Sequence, residues 1–316
     1  MPETQFEIVT DLVLERMQPA DWSEVARLIH DSTNGWYEAN RNHLIFPHGP
    51  ESTLLFCDVY EELDPGCCIV ARSGDSNRIV GSCFFHPRET HFSLGIMNVH
   101  PDAFGKGIAR SMLQQIIGLA TAEQKPVRLV SSAMNLDSFS LYTRAGFVPR
   151  QTLQDMILEI PADGVDASHP LKDRIRDAVD QDVEAMGRLE RQVAGIQREQ
   201  DYQYFVANRA GYWHTSVLKD GDQLAGWIVS IAHPASCMIG PCVAKDEDTA
   251  LALLLNEINY RAGNTMVFLV PVDCHNIVQA AYRRGARNCE LHVAQVLGEF
   301  QPFKGVVMPS FMPETA

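Results

Sequence analysis

Short runs rich in Ile, Val, Leu and Phe, bounded by polar or turn-forming residues, predict strands at residues 7–17, 67–71, 78–86 and 91–99. Residues 19–31 carry apolar positions at helical spacing and predict a helix, and the segment between that helix and residue 67 reads as irregular. Beyond residue 99 the pattern runs helix, strand, helix, strand. This order predicts an α/β fold on a mixed sheet, antiparallel at its start and βαβ-like at its end. The polar, Pro- and Gly-containing stretch around Pro161, Gly164 and Pro170 then interrupts the pattern, which predicts a linker at 161–170 between domains 1–160 and 171–316.

The second half echoes the first in the same order, which predicts two tandem copies of one domain. Gly-Ser-Cys-Phe-Phe-His-Pro at 81–87 is answered by Gly-Trp-Ile-Val-Ser-Ile-Ala-His-Pro at 226–234. Ile-Met-Asn-Val at 96–99, followed by a helix, is answered by Ile-Gly-Pro-Cys-Val at 239–243, again followed by a helix. Val-Arg-Leu-Val at 127–130, with a helix ending at Gly146, is answered by Met-Val-Phe-Leu-Val at 266–270 and a helix ending at Gly285. The helix holding Leu251, Leu254, Leu255 and Ile258 reads as a packing helix, and the tail after Gly298, with three prolines, as an extended cover.

Composition narrows the class. A chain of 316 residues that is 46% hydrophobic and 21% charged has the balance of a folded globular protein. The net charge of −14 and the absence of any basic run exclude a phosphate-tracking surface, so no nucleic-acid partner is expected. No stretch is long and apolar enough to cross a membrane, and the first residues lack a signal-peptide pattern, so a cytoplasmic location is expected. The eight cysteines form no CxxC pair and no spacing suited to zinc; they read as reduced, and no metal is expected.

The segment that carries chemistry is Asn-Val-His-Pro-Asp-Ala-Phe-Gly-Lys-Gly-Ile-Ala-Arg at 98–110. A strand ends in a Pro, a glycine-containing turn follows, and an amphipathic helix with Ile108, Met112 and Ile116 on one face begins. Gly105 and Gly107 allow the backbone to turn tightly, so that successive N–H groups meet an anion at the positive end of a helix, with Lys106 and Arg110 beside it. Such a turn suits a pyrophosphate, and it also suits a plain strand-to-helix connection. Neither GxxxxGK[ST] nor GxGxxG with a following acidic residue is present. In the second copy the corresponding loop is Lys-Asp-Glu-Asp-Thr at 245–249, without glycine and with three carboxylates, and that copy is expected to be non-catalytic.

The loop resembles the pyrophosphate loop of the GNAT acetyltransferase superfamily, Q/R-x-x-G-x-G/A after a Val-x-Pro strand end. Asn-Leu-Asp-Ser-Phe-Ser-Leu-Tyr-Thr-Arg-Ala-Gly-Phe at 135–147 resembles that superfamily's later signature, an Asn followed by Leu-Tyr-x-x-x-Gly-Phe. The resemblance covers residues 7–160 and departs from the pattern at Phe104, which stands where the motif has Gln or Arg. Features of the second half, Gly195, Arg198, Gly226, Trp227 and the stretch 239–244, are similar to the degenerate second domain of some tandem GNAT proteins.

The resemblance implies an acetyl-CoA-dependent N-acyltransferase that acts on a small-molecule or peptide amine by direct attack, with the two domains paired within the chain. By the same resemblance Met97, Asn98 and Val99 would bind the pantetheine arm, a nearby bulge presenting an N–H to the thioester oxygen. Gly105, Lys106, Gly107, Ile108, Ala109 and Arg110 would hold the pyrophosphate, Asn135 would contact the cofactor arm, and Tyr142 would protonate the leaving thiolate. A general base is needed to deprotonate the amine. The strand 94–99 holds no carboxylate, which leaves His86, Glu89 and His91 as candidates ahead of His100. Trp36 and Tyr37, read as following the first helix, fall where the superfamily has a substrate loop. The rival expectation, resting on Phe104 and the missing carboxylate, is a non-enzymatic acyl-CoA-binding or sensor protein.

Overall fold

The computed structural model describes residues 12–74 and 77–313. The chain divides into two compact units, one made of the chain up to Pro87 together with Phe92–Lys125, the other of Arg88–His91 and Pro126–Ala316.

In the first unit β1 (Leu12–Arg16), β2 (Cys68–Ser73), β3 (Ile79–Pro87) and β4 (Phe92–Val99) form consecutive antiparallel pairs. The part of the predicted first strand before residue 12 lies outside the described residues. The first helix, α1 (Trp22–Arg41), is longer than its sequence pattern and runs through Asn34 and Gly35. Those residues favour turns, but the buried Asn34 amide donates to the carbonyl of Phe46 at 2.8 Å and accepts from its N–H at 2.9 Å. Tertiary bonding outweighs a propensity cost of about 1 kcal/mol. Trp36 and Tyr37 therefore lie inside α1, their rings edge to face at 4.9 Å, and do not form a loop after it. The segment expected to be irregular contains α2 (Leu54–Leu63), whose Leu55, Phe56, Val59 and Tyr60 are buried. The glycine turn opens α3 (Ile108–Ala122), which lays Ile108, Met112 and Ile116 into the core as its periodicity predicts.

The second unit contains β5 (Val127–Ser132), α4 (Leu136–Arg144), β6 (Val148–Glu159), β7 (Ile175–Asp177), α5 (Val183–Ala194), α6 (Glu199–Ala207), β8 (Trp213–Asp220), β9 (Gln223–His233), β10 (Ser236–Ala244), α7 (Glu247–Tyr260), β11 (Thr265–Pro271), α8 (His275–Arg283), β12 (Arg287–Leu297) and β13 (Val306–Met308). Its strands are ordered β5-β12-β6-β11-β10-β9-β8-β7, with β13 also on β10. The last strand of each sequence copy has changed places: β12 pairs with β5, β6 pairs with β11, and β6 and β12 pair with each other. The packing boundary at Pro126 differs from the compositional break at 161–170 because of this exchange. The break itself is held in place, with the Asn259 amide bonded to the N–H and carbonyl of Val165 at 2.8 and 2.9 Å.

The duplication is visible in strand register. Gly81 pairs with Val99, Cys83 with Met97 and Phe85 with Leu94; Gly226 pairs with Ala244, Ile228 with Cys242 and Ser230 with Ile239. Both hairpins thus carry one extra residue at the same place, Gly95–Ile96 in β4 and Gly240–Pro241 in β10. The glycines that precede each bulge share a reason. A Cβ on Gly81 would lie 2.8 Å from Ile108, and one on Gly226 would lie 2.7 Å from Leu253 and 2.8 Å from Thr249, so the following helix packs directly on strand backbone in both copies.

Candidate active site

The turn between β4 and α3 has the backbone that its glycines predict. Gly105 and Gly107 sit at φ +75° and +79°, and Gly107 is the N-cap of α3. An added Cβ at either would meet nothing within 4 Å, so the space above the turn is open to a ligand. The first intrahelical bond of α3 is Ser111 N–H to the carbonyl of Gly107 at 3.0 Å; the N–H groups of Ile108, Ala109 and Arg110 precede any helical acceptor. The Ile108 side chain is buried, so only its backbone serves the turn. Lys106 and Arg110 are exposed, as is Phe104 at 52%. His100 caps the short 3-10 turn before the glycines, accepting from Asp102 N–H at 3.2 Å. The donor set and the open cradle fit a pyrophosphate.

The strand leading to the turn is bulged at Gly95–Ile96, one step before Met97, Asn98 and Val99. The Asn98 side chain is buried and donates to Ser32 Oγ at 2.8 Å and Thr33 Oγ1 at 3.1 Å, tying β4 to α1. Against the bulge lies His86. Its Nδ1 is 2.7 Å from Asp64 Oδ2, and its Nε2 would lie 2.9 Å from a Cβ on Gly95. A carboxylate beside Nδ1 favours the tautomer in which Nδ1 donates and Nε2 accepts. Asp64 was not singled out by sequence, because it ends α2 in a stretch read as irregular.

The other two base candidates hold structure at the tip of the β3–β4 hairpin, in the second unit. Glu89 accepts the N–H of Glu199 at 3.2 Å. The buried His91 has Nδ1 3.0 Å from Thr90 Oγ1, and Thr90 accepts from Gln197 N–H at 2.9 Å. Beside them Arg88 and Asp201 form a buried pair at 2.6 and 3.0 Å, next to Arg198 bonded at 3.0 Å to both oxygens of Glu190.

Asn135 is the N-cap of α4, accepting Ser138 N–H at 3.1 Å, and Gly146 follows the helix at φ +97°. Tyr142 is buried near the end of that helix, its ring edge to face with Phe147 at 5.8 Å. None of the eight cysteines, all among the described residues, forms a disulfide. Burial, with nearby carboxylates, pushes the thiols of Cys57 and Cys274 up to about 12 and that of Cys289 up to about 11, so none of these three is a thiolate at neutral pH.

Comparison with known proteins rests on two family-model matches. Residues 64–149 match one acetyltransferase (GNAT) domain model and residues 186–299 match another. The chain is a tandem GNAT protein. Among solved structures, a Pyrococcus horikoshii protein assigned to the acetyltransferases covers 94% of this chain and 95% of its own at a TM-score of 0.69 and 14% identity. A GCN5-related N-acetyltransferase of Sphaerobacter thermophilus covers 90% and 95% at 0.61 and 17%. A tandem GNAT protein from the clavulanic acid biosynthesis pathway covers 91% and 98% at 0.59 and 17%. At these identities the likeness is one of fold. A curated relative, the UPF0157 protein YqkA of Bacillus subtilis (strain 168), is 30% identical over 79 residues, and this chain spans only 23% of its length.

In the second copy of this tandem GNAT protein the turn between strand and helix is two residues long against eight in the first, and carries no glycine. Asp246 caps α7 by accepting Thr249 N–H at 2.8 Å. Glu247 is committed elsewhere, accepting from Ile277 N–H and the Asn276 amide at 3.0 Å each. Acidic side chains thus take over helix N-termini where an anion would bind. Tyr282, in α8, is exposed at 43%, unlike Tyr142. Among the described residues one group of metal-competent side chains converges, Asp155, Glu290 and His292. His292 Nδ1 lies 3.0 and 2.9 Å from the two Asp155 oxygens, and Ser132 donates to Glu290. No helix among the described residues is long and apolar enough to cross a membrane.

Proposed function

We propose that the first copy, residues 1–160, transfers an acetyl group from acetyl-CoA to a primary amine of a small molecule or peptide, and that the second, residues 171–316, is a non-catalytic partner. The observation that carries this reading is the open glycine turn at the start of α3, with φ +75° and +79°, directly after a bulged strand. Gly105, Lys106, Gly107, Ile108, Ala109 and Arg110 hold the pyrophosphate through backbone N–H groups and two cations. Met97, Asn98 and Val99 hold the pantetheine arm through their backbone, since the Asn98 side chain is engaged with α1. Asn135, the N-cap of α4, contacts the cofactor arm by the motif it shares with the family.

Acetyl-CoA supplies the activated thioester. His86, oriented by Asp64, takes the proton from the ammonium form of the acceptor. Tyr142 gives its hydroxyl proton to the thiolate as the C–S bond breaks and the C–N bond forms. The raised cysteine thiols favour direct attack by the amine over an acyl-cysteine route. Eight cysteines without a disulfide accord with the reducing cytoplasm.

A second reading, an acyl-CoA-binding or sensor protein, is favoured by Phe104, half exposed where the motif has a polar residue. Release of free CoA thiol, measured with an amine panel, separates the two. Acyl transfer predicts amine-dependent thiol release at a rate above hydrolysis. Tight acetyl-CoA binding with no release for any amine would favour the second.

A further inference from the structure

The second copy keeps the bulged strand of a cofactor groove, and the groove is filled. Strand β10 pairs with the parallel β11 at Met238 and Val267. Beyond the bulge, its Cys242, Val243 and Ala244 pair instead with Met308, Val307 and Val306 of β13, antiparallel. By register these three residues are the counterparts of Met97, Asn98 and Val99.

The fit along β10 is close at both ends. A Cβ on Gly305 would lie 2.3 Å from the Ala244 carbonyl oxygen, and one on Gly240 would lie 2.7 Å from that of Pro309. Val306 and Met308 belong to the unit's main apolar core, and Ser310 and Met312 are fully buried. Before β13 the tail is anchored where Lys304 N–H meets the Val193 carbonyl at 2.8 Å; after it, the Phe311 ring packs on His292 at 4.7 Å.

We infer that residues 305–312 are a built-in peptide ligand of the second copy, seated on the strand edge that the first copy offers to the pantetheine arm. The second copy is thus a receptor for one extended strand, its own C-terminal segment, by the same β-addition that sheet edges use for foreign peptides. The comparison with pantetheine rests on the proposed function; the strand-receptor assignment does not.

The test uses the full chain with a protease site inserted near the exposed Pro302. After cleavage of the folded protein, the 303–316 fragment is expected to co-elute in gel filtration. A labelled 303–313 peptide should exchange into the groove, with Val307→Asp in that peptide weakening uptake by more than tenfold. Immediate loss of the fragment from a chain that keeps its circular dichroism, or uptake that ignores Val307→Asp, would overturn the assignment.

Should the nicked chain unfold, Gly305→Val in the uncut chain gives a second reading by amide hydrogen exchange. Lys245 N–H bonds across to the Ala225 carbonyl at the end of β9, so by alternation the N–H groups of Cys242 and Ala244 face β13. Protection should fall at those two, and unchanged protection there would overturn the assignment. Acetyl-CoA titration of the same samples reports on the first copy alone. Its failure with tail uptake intact would refute the acyltransferase reading and leave the strand receptor standing.

Discussion

A side chain at position 107 would have to adopt φ +79° at the mouth of the glycine turn. That conformation costs a non-glycine residue about 1–3 kcal/mol. A carboxylate placed there would also oppose a pyrophosphate at the helix N-terminus. Gly107→Glu is therefore expected to weaken acetyl-CoA binding by about 100-fold or more, read by calorimetry, while the strain lowers the thermal unfolding midpoint by roughly 2–10 °C and leaves the protein folded at the titration temperature. Tyr142→Phe tests the other end of the chemistry. Its ring would still pack on Phe147, so kcat and kcat/KM should fall together by about 10²- to 10⁴-fold with the acetyl-CoA Kd unchanged. Unchanged turnover would remove the role, and lost binding with intact fold would make the hydroxyl a cofactor contact. At this scale the sequence was legible where spacing constrains backbone, at Gly105, Gly107 and Gly146. It was not legible at Glu89 and His91, because their ties to Glu199 and, through Thr90, to Gln197 join residues over 100 positions apart.

Among elements, the hairpins β3–β4 and β9–β10 were readable because alternation and a common register repeat in both copies. The length of α1 and the presence of α2 were not, since Asn34–Gly35 and the Pro-rich approach at 47–50 are turn signals overruled by packing. The exchange of β6 and β12 leaves no local pattern at all, because strand partners are chosen by tertiary fit. The tip of the β3–β4 hairpin is held by Arg88 and Asp201, whose side chains are 1% and 2% exposed. Removing one partner leaves a buried charge, so Asp201→Ala is expected to cost about 3–5 kcal/mol in denaturant unfolding. A loss below about 1 kcal/mol would show that water replaces the pair.

On β8, His214 lies 2.9 Å from Glu257 and 3.2 Å from Asp177, stacked on Tyr260. Burial pulls its pKa down, but the hydrogen bond and charge of Glu257, joined by Asp177, raise it above the ordinary value. Stability from this group is present in full below the unfolded pKa of about 6.5 and is lost as pH rises through the folded value. The stability difference between the natural chain and His214→Gln should thus shrink as pH rises above about 6.5. A difference independent of pH would contradict this.

At the scale of the whole molecule, the two copies share strands yet have diverged at the turn between bulged strand and helix, where we propose that the first copy holds pyrophosphate. The first keeps an open glycine cradle, and the second has a shorter acidic turn and a strand edge occupied by its own tail. The duplication and the loss of glycine were readable from sequence; of the filled groove only the extended, covering tail was, because its prolines exclude a long helix but do not specify which strand edge it pairs with. The account turns on this asymmetry, and a calorimetric titration of acetyl-CoA into the full chain tests it most directly. It predicts one site per chain, weakened by about 100-fold or more by Gly107→Glu. Two equivalent sites, or one whose affinity that substitution leaves unchanged, would contradict it.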